Sequence, residues 1–104
     1  MEITELTPFQ LESLIELSAQ VNPTYMLVKP NAAIDTADVY EHWTKNNKET
    51  DDLVTMGLLS DVSSAYSDAI EECARTTGRL VRVFKLTKIG EIMFEDQKRP
   101  THIN

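Results

Sequence analysis

The chain has 104 residues, a formal net charge of −7 and a hydrophobic content of 41%. This length fits a single domain over residues 1–104 and leaves little room for two. No apolar run approaches the ~18 residues that cross a bilayer, and the acidic N-terminus is unlike a signal peptide, so we expect a cytoplasmic protein without membrane association. Cys73 is the single cysteine, which excludes an intramolecular disulfide.

Charge is distributed unevenly along the chain. Residues 1–74 hold 14 acidic and three basic side chains, a net charge of −11, whereas residues 75–104 hold seven basic and three acidic ones, a net charge of +4. The overall field opposes binding to a polyanion, but the last third can still present a local basic patch.

The first predicted element is a helix over residues 6–21. Thr7 and Gln10 have the spacing of a capping box, and Pro8 suits the first helical position. The pair Asn22-Pro23 ends the helix, because a residue that precedes proline avoids the helical conformation.

Two short stretches predict strands, over residues 24–28 and 80–86. Both are apolar and rich in β-branched or aromatic residues. We expect them to pair with each other, since a lone strand leaves its backbone groups unsatisfied. From Thr87, a natural N-cap, the apolar residues take helical spacing, which predicts a closing helix that runs to about residue 96.

Between the strands the pattern predicts three helices, over residues 36–44, 48–56 and 60–77. The polar residues Lys45-Asn46-Asn47 separate the first two, and Gly57 and Gly78 end the second and the third. Two helices joined by about three residues have helix-turn-helix spacing. The expected fold class is α+β, mostly helical with a small two-stranded sheet, with an ordered core over 7–96 and a loose tail over 97–104.

Two motifs resemble those of winged helix-turn-helix domains of the MarR type. The first is Leu53-Val54-Thr55-Met56-Gly57-Leu58-Leu59, which is similar to the end of the family's recognition helix. The second is Val83-Phe84-Lys85-Leu86-Thr87-Lys88-Ile89-Gly90, which is similar to the passage from the wing's last strand into the closing helix. The resemblance implies a winged-helix-like domain, here with a helix where the wing would begin.

In that family the N-terminal part of the recognition helix enters the major groove. Carried over by position, the resemblance implies that the base-reading residues are Lys45, Asn46, Asn47, Lys48 and Thr50. Asparagine and lysine are suited to contacts with base edges. Three carboxylates in the same turns, Glu49, Asp51 and Asp52, oppose an approach to phosphates and equally suit the N-terminal end of a helix.

A second candidate surface is the basic strand with its flanks. Its principal members are Arg79, Arg82 and Lys85. They form either a partner-binding patch or a set of solvated charges that guards a sheet edge, and the sequence leaves both interpretations open.

No pattern in the chain indicates catalysis, a metal or a cofactor. His42 and His102 are far apart and lie in no Cys/His cluster, and Cys73 falls on the apolar face of its helix, where a packed thiol is expected. None of the three glycines belongs to a phosphate-binding loop. We therefore expect a protein that is not an enzyme.

Three hypotheses of function remain. The favoured one is a small non-catalytic regulatory module that acts through protein contacts in transcription control, because the middle helices carry an acidic face. The first alternative is a DNA-binding transcriptional regulator that uses residues 45–50 and the basic strand, with dimerisation through the first helix and the helix over 60–77. The second is an assembly component of a larger particle that docks through its tail.

Overall fold

The computed structural model of the chain describes residues 5–31 and 33–98, with side chains up to Met93. In chain order the elements are α1 (Pro8–Ser18), β1 (Thr24–Val28), α2 (Ala37–Thr55), β2 (Leu59–Asp61), a 3-10 helix (Ser63–Tyr66), α3 (Ser67–Thr77), β3 (Val81–Leu86) and α4 (Lys88–Lys98). The predicted fold class is confirmed, since the chain is α+β and mostly helical with one small antiparallel sheet.

The sheet has the strand order β1-β3-β2. The expected pairing of the two longer strands is confirmed, with Met26 of β1 opposite Val83 of β3. The prediction of only two strands is wrong, because β2 pairs with β3 on the other side and sets Leu59 opposite Leu86. A strand of three residues is too short to show an alternating pattern, and its partner lies more than 20 residues further along the chain.

The capping box of α1 forms as predicted. The Thr7 N–H donates to Gln10 Oε1 at 3.0 Å, and the Gln10 N–H donates to Thr7 Oγ1 at 3.2 Å. The Gln10 side chain also donates to the backbone oxygen of Glu49 in α2 at 2.9 Å. One residue therefore both starts α1 and ties it to the neighbouring helix.

The predicted break at Lys45-Asn46-Asn47 is wrong, because α2 is one continuous helix of 19 residues. Contacts along and beside the helix engage several of its polar side chains without a turn. Thr50 Oγ1 donates to the Asn46 backbone oxygen at 2.7 Å, and Lys48 Nζ lies 3.5 Å from Asp52 Oδ2. The predicted helix over 60–77 is also corrected, since only its second part is α-helical, as α3.

The hydrophobic core lies on one face of the sheet. Side chains alternate between the two faces of a strand, so Phe84 and Leu86 of β3 face the core, whereas Val81 and Val83 face the opposite side. The core is a cluster of buried residues from α1, the sheet and α2 with its following turn: Leu14, Leu17, Leu27, Leu53, Leu58, Leu59, Phe84 and Leu86. On the opposite face lies α3, none of whose residues is buried.

Gly90 lets α4 approach this core closely. A Cβ atom at this position would lie 2.7 Å from the Leu58 backbone oxygen and 2.7 Å from Leu86 Cδ1, closer than real side chains come. The hydroxyl of Thr87 caps α4 as predicted, since it accepts from the Gly90 N–H at 3.1 Å. Of the predicted loose tail, Gln97 and Lys98 belong to α4, and residues 99–104 lie outside the described residues.

Candidate functional site

Arg82 of β3 is held by polar side chains from the two elements beside it. Its Nη1 donates to Asn47 Oδ1 of α2 at 2.5 Å. Its Nη2 donates to Asp51 Oδ1 of α2 at 2.8 Å and to Asp61 Oδ2 of β2 at 3.1 Å. The guanidinium carbon also lies 4.8 Å from the centre of the Phe84 ring, a cation–π distance. We call Arg82, Asn47, Asp51 and Asp61 the arginine cluster.

The arginine cluster shifts the ionisation of its own members. The hydrogen bond with Asp51 is the main cause that raises the pKa of Arg82 above its ordinary value, against the effect of burial. Burial of Asp61 acts to raise the pKa of that carboxyl, but hydrogen bonds from Ser63 and Arg82, with the charge of Arg82, hold the pKa below its ordinary value of 3.8. Both shifts favour the charged forms of the ion pair.

The predicted basic strand does not form one exposed patch. Arg82 contacts two carboxylates, and Arg79 Nη2 lies 3.6 Å from Asp35 Oδ1. Lys85 is exposed on the other face of β3. The edge-guarding interpretation is wrong for this strand, because β3 lies at the centre of the sheet.

The predicted base-reading residues are spread around α2 and are mostly engaged. Thr50 is only 1% exposed. Asn46 contacts the His42 ring at 3.0 Å, Asn47 accepts from Arg82, and Lys48 pairs with Asp52. The structure brings Asn47 and Arg82 together, but in an internal hydrogen bond.

Three lysines of the predicted set, Lys45, Lys48 and Lys85, are exposed, and Lys48 pairs with Asp52. Within residues 5–31 and 33–93, whose side chains are described, Lys45 and Lys85 have no ion-pair partner. One lies midway along α2, and the other lies on the side of the sheet that faces α3. Two lysines on different elements give a weak basis for a nucleic-acid surface.

A different feature dominates the side of the sheet that carries α3. Between this helix and the sheet lies a partly open cleft of about 220 Å³, almost wholly apolar in its lining. We call it the apolar groove. Its lining residues are Met26, Val28, Tyr66, Ala69, Ile70, Cys73, Val81 and Val83.

The apolar groove forms because the apolar face of the sheet, set by strand alternation, lies opposite the apolar face of α3, set by helical spacing. Strand alternation directs Met26 and Val28 of β1 to the same face as Val81 and Val83 of β3. Helical spacing places Ala69, Ile70 and Cys73 on one side of α3, and Tyr66 precedes them at the end of the 3-10 helix. The helix does not close over the sheet, so Met26 stays 64% exposed.

The outer side of α3 is acidic. Its exposed carboxylates are Asp68, Glu71 and Glu72, and the last of these pairs with Arg75 three residues further along. The groove therefore has an apolar floor and one wall whose outer surface carries net negative charge.

Sequence reasoning placed Cys73 on an apolar helical face but did not find the groove. The available signal was β3, which is apolar on both faces: Val81 and Val83 on one, Phe84 and Leu86 on the other. A strand with this pattern is covered on both sides. The pattern of β3 does not show that α3, which covers the face of Val81 and Val83, covers it incompletely.

The remaining chemistry of the described residues is sparse. No group of three or more His, Cys, Asp or Glu side chains within residues 5–31 and 33–93 is arranged to hold a metal ion. In the same part of the chain, no helix combines the length and apolar character needed to cross a membrane. Comparisons with protein-family models, with curated proteins and with solved structures find no match.

Proposed function

We propose that this protein is a small non-catalytic regulatory module that acts through protein contacts, and that the apolar groove is its contact surface. The observation that carries the proposal is an open cleft of about 220 Å³ between α3 and the sheet, with eight lining residues and almost no polar lining. Transcription control in the cytoplasm is the setting that we infer from the winged-helix-like motifs. Self-association through α1 and α3 belongs to the DNA-binding alternative and stays a prediction of that alternative.

An exposed apolar cleft favours a binding role on energetic grounds. Contiguous apolar surface of this kind marks protein-interaction or ligand sites, whereas single exposed apolar residues are ordinary. Removal of a side chain such as Met26 from water contributes about 1.5–3 kcal/mol, so two or three such residues supply a useful part of a binding free energy. Ile70, across the groove, is partly buried and adds to the same surface.

The DNA-binding alternative has less support. Arg82 and Arg79 are occupied by carboxylates of the same chain, and Thr50 is buried. Release of Arg82 to a phosphate would leave Asp51 and Asp61 without its charge. The assembly alternative relies on a tail that lies largely outside the described residues.

Site-specific photo-crosslinking in the source cells tests the proposal. A photo-reactive phenylalanine analogue replaces Tyr66 in the groove, and the control carries the same analogue at Asp68 on the outer face of α3. We expect a discrete crosslinked protein from position 66 only. The captured protein, once purified, should bind the wild-type chain at least about tenfold more tightly than the Ile70→Glu variant, because a buried carboxylate opposes binding.

The matched control for charge is Ala65→Glu, which adds the same carboxylate at an exposed position outside the groove lining. It should bind like wild type, and circular dichroism should show the same fold for both variants. Equal crosslinking from positions 66 and 68, or equal binding by Ile70→Glu and wild type, would contradict the proposed function.

A further inference from the structure

We propose that the partner enters as an extended, basic segment that adds to β1 as a fourth strand and places alternate apolar side chains in the apolar groove. This inference rests on the proposed function, since it specifies the chemistry of the protein partner at the same surface. It makes β1 a receiving edge and α3 the wall against which the added side chains pack.

Among the described residues, β1 has a strand partner on one side only. The Leu86 N–H donates to the Pro23 oxygen at 3.1 Å, and the Lys29 N–H donates to the Leu80 oxygen at 2.9 Å. Hydrogen-bonded pairs alternate along an antiparallel ladder, so the backbone groups of Tyr25 and Leu27 face β3. The N–H and C=O groups of the intervening residues therefore face away from the sheet.

Met26 and Val28 present these outward backbone groups. Within residues 5–31 and 33–98, neither makes a backbone hydrogen bond outside the strand ladder. The same two residues direct their side chains into the groove. An added strand would lie about 4.8 Å from β1, bond to both residues and continue the groove floor with its own alternate side chains. Strand addition of this kind draws affinity from the backbone and specificity from pockets for alternate side chains.

The edge of β1 lacks the features that normally block strand addition. Protected edges carry lysine, proline, inward charges or bulges. The strand itself, Thr24-Tyr25-Met26-Leu27-Val28, contains no charge and no proline, and its pairing with β3 runs without a bulge. Lys29 follows the strand, but its Nζ lies 6.0 Å from the centre of the Trp43 ring on α2. The cation next to the edge is thus directed toward a helix.

Charge complementarity specifies a basic partner. Asp68 and Glu71 of α3 are exposed and have no ion-pair partner within the described part of the chain. The whole chain has a net charge of −7. A second copy of the chain would bring the same net negative charge, whereas a segment with Lys or Arg at the positions between its apolar residues would be attracted by the overall field of the chain.

Selection from a displayed library of random peptides against the full chain tests the inference. Counter-selection uses the Met26→Pro variant, because proline removes the outward N–H and leaves the ladder to β3 complete. We expect enriched peptides that alternate apolar residues and carry Lys or Arg between them. Enrichment of helically spaced or acidic peptides would overturn the inference, and so would the absence of any peptide that depends on Met26.

Binding of one enriched peptide, measured by fluorescence anisotropy, separates the two proposals. Met26→Pro should weaken it at least about tenfold, as expected for lost backbone hydrogen bonds, and Met26→Lys should do the same by guarding the edge. Met26→Leu, which keeps both edge and apolar surface, should bind like wild type. If Ile70→Glu abolishes binding but the proline and lysine variants do not, the groove remains a protein-binding surface and strand addition is wrong.

The competing occupant, a second copy, is tested with the same proteins. Sedimentation should show a wild-type chain that remains monomeric at the concentrations used for binding. A dimer that dissociates in Met26→Pro would assign the β1 edge to self-association and overturn the basic-partner inference.

Discussion

Arg82 lies between two carboxylates that belong to different elements, so one side chain joins α2, β2 and β3. Its fork of N–H donors serves Asn47, Asp51 and Asp61 at the same time. A lysine cannot reproduce this arrangement, because its single ammonium lacks the planar fork. The side chain is 32% exposed, so solvent weakens each ion pair without removing the geometric advantage.

We predict that Arg82→Met lowers the free energy of unfolding by about 1–3 kcal/mol, because two carboxylates lose a charged hydrogen-bond donor. Arg82→Lys should recover part of this loss. Urea denaturation at neutral pH measures both. Lys85→Met is the control, since Lys85 is exposed on the same strand without an ion-pair partner among the described residues, and it should change stability by less than about 0.5 kcal/mol. An equal loss of unfolding free energy in the Arg82→Met and Lys85→Met variants would contradict a stabilising role for the contacts of Arg82 with Asp51 and Asp61.

The lowered pKa of the Asp61 carboxyl predicts that the folded protein loses stability as the pH falls into the acid range. Its pKa is held below the ordinary value of 3.8, so the unfolded chain binds a proton more readily than the folded chain. The stabilisation is therefore complete above pH 3.8 and is lost as the pH falls through the lower folded pKa. Thermal unfolding should be measured from neutral pH to strong acid, and the unfolding temperature of Asp61→Asn should fall less steeply with decreasing pH than that of wild type. An equally steep fall in both proteins would contradict the lowered pKa of Asp61.

At the scale of elements, α2 consists of two halves with different burial. Its buried residues are Glu49, Thr50 and Leu53, all in the C-terminal half, and residues 37–48 contain none. Tyr40 and Trp43 in the first half contact each other, with ring centres 6.2 Å apart. The first half therefore depends on helix hydrogen bonds and local contacts more than on the core.

We predict that backbone amides in residues 40–48 exchange with deuterium at least about tenfold faster than those in 49–55. Hydrogen exchange followed by mass spectrometry measures the difference, with α1, which buries Leu14 and Leu17, as the protected reference. Uniform protection along α2 would show that its first half is stabilised by contacts beyond those described.

The elements that could be predicted are those whose signals are local. The capping box of Thr7 and Gln10 and the long apolar strands are written in adjacent residues, and they form as expected. The prediction of a break at Lys45-Asn46-Asn47 is wrong because turn-forming residues can also continue a helix when their side chains have hydrogen-bond or ion-pair partners. Asn47 has such a partner in Arg82, which lies 35 residues away, and no local pattern contains that contact.

The candidate site was beyond sequence reasoning for the same reason. The sequence identifies the basic residues, but their carboxylate partners come from other parts of the chain, as Asp35 does for Arg79. The groove requires the distance between α3 and the sheet, and periodicity gives only the apolar faces of each. Sequence patterns thus indicate that Cys73 faces apolar side chains, but they do not indicate that the space between those side chains is open.

At the scale of the whole molecule, the charge distribution predicts poor affinity for nucleic acid. The net charge is −7, and Arg79 and Arg82 are paired internally. We expect no measurable binding to random duplex DNA even at ~50 mM salt, where phosphate contacts are strongest. A salt titration by fluorescence anisotropy measures this.

The control for that titration is the double variant Lys45→Glu/Lys85→Glu, which removes the two lysines of the predicted set that have no ion-pair partner among the described side chains. If wild type binds with a steep salt dependence and the variant does not, the DNA-binding alternative replaces the protein-binding proposal.

The strand order has a consequence for synthesis on the ribosome. The two outer strands, β1 and β2, leave the exit tunnel before the central strand that both require. A nascent chain that ends before Val81 holds two strand segments without their partner, and unpaired strand edges invite aggregation. The sheet therefore assembles only when Val81–Leu86 has emerged. Premature termination before Leu86 should yield no stable fragment, whereas loss of residues after the sheet leaves all three strands available.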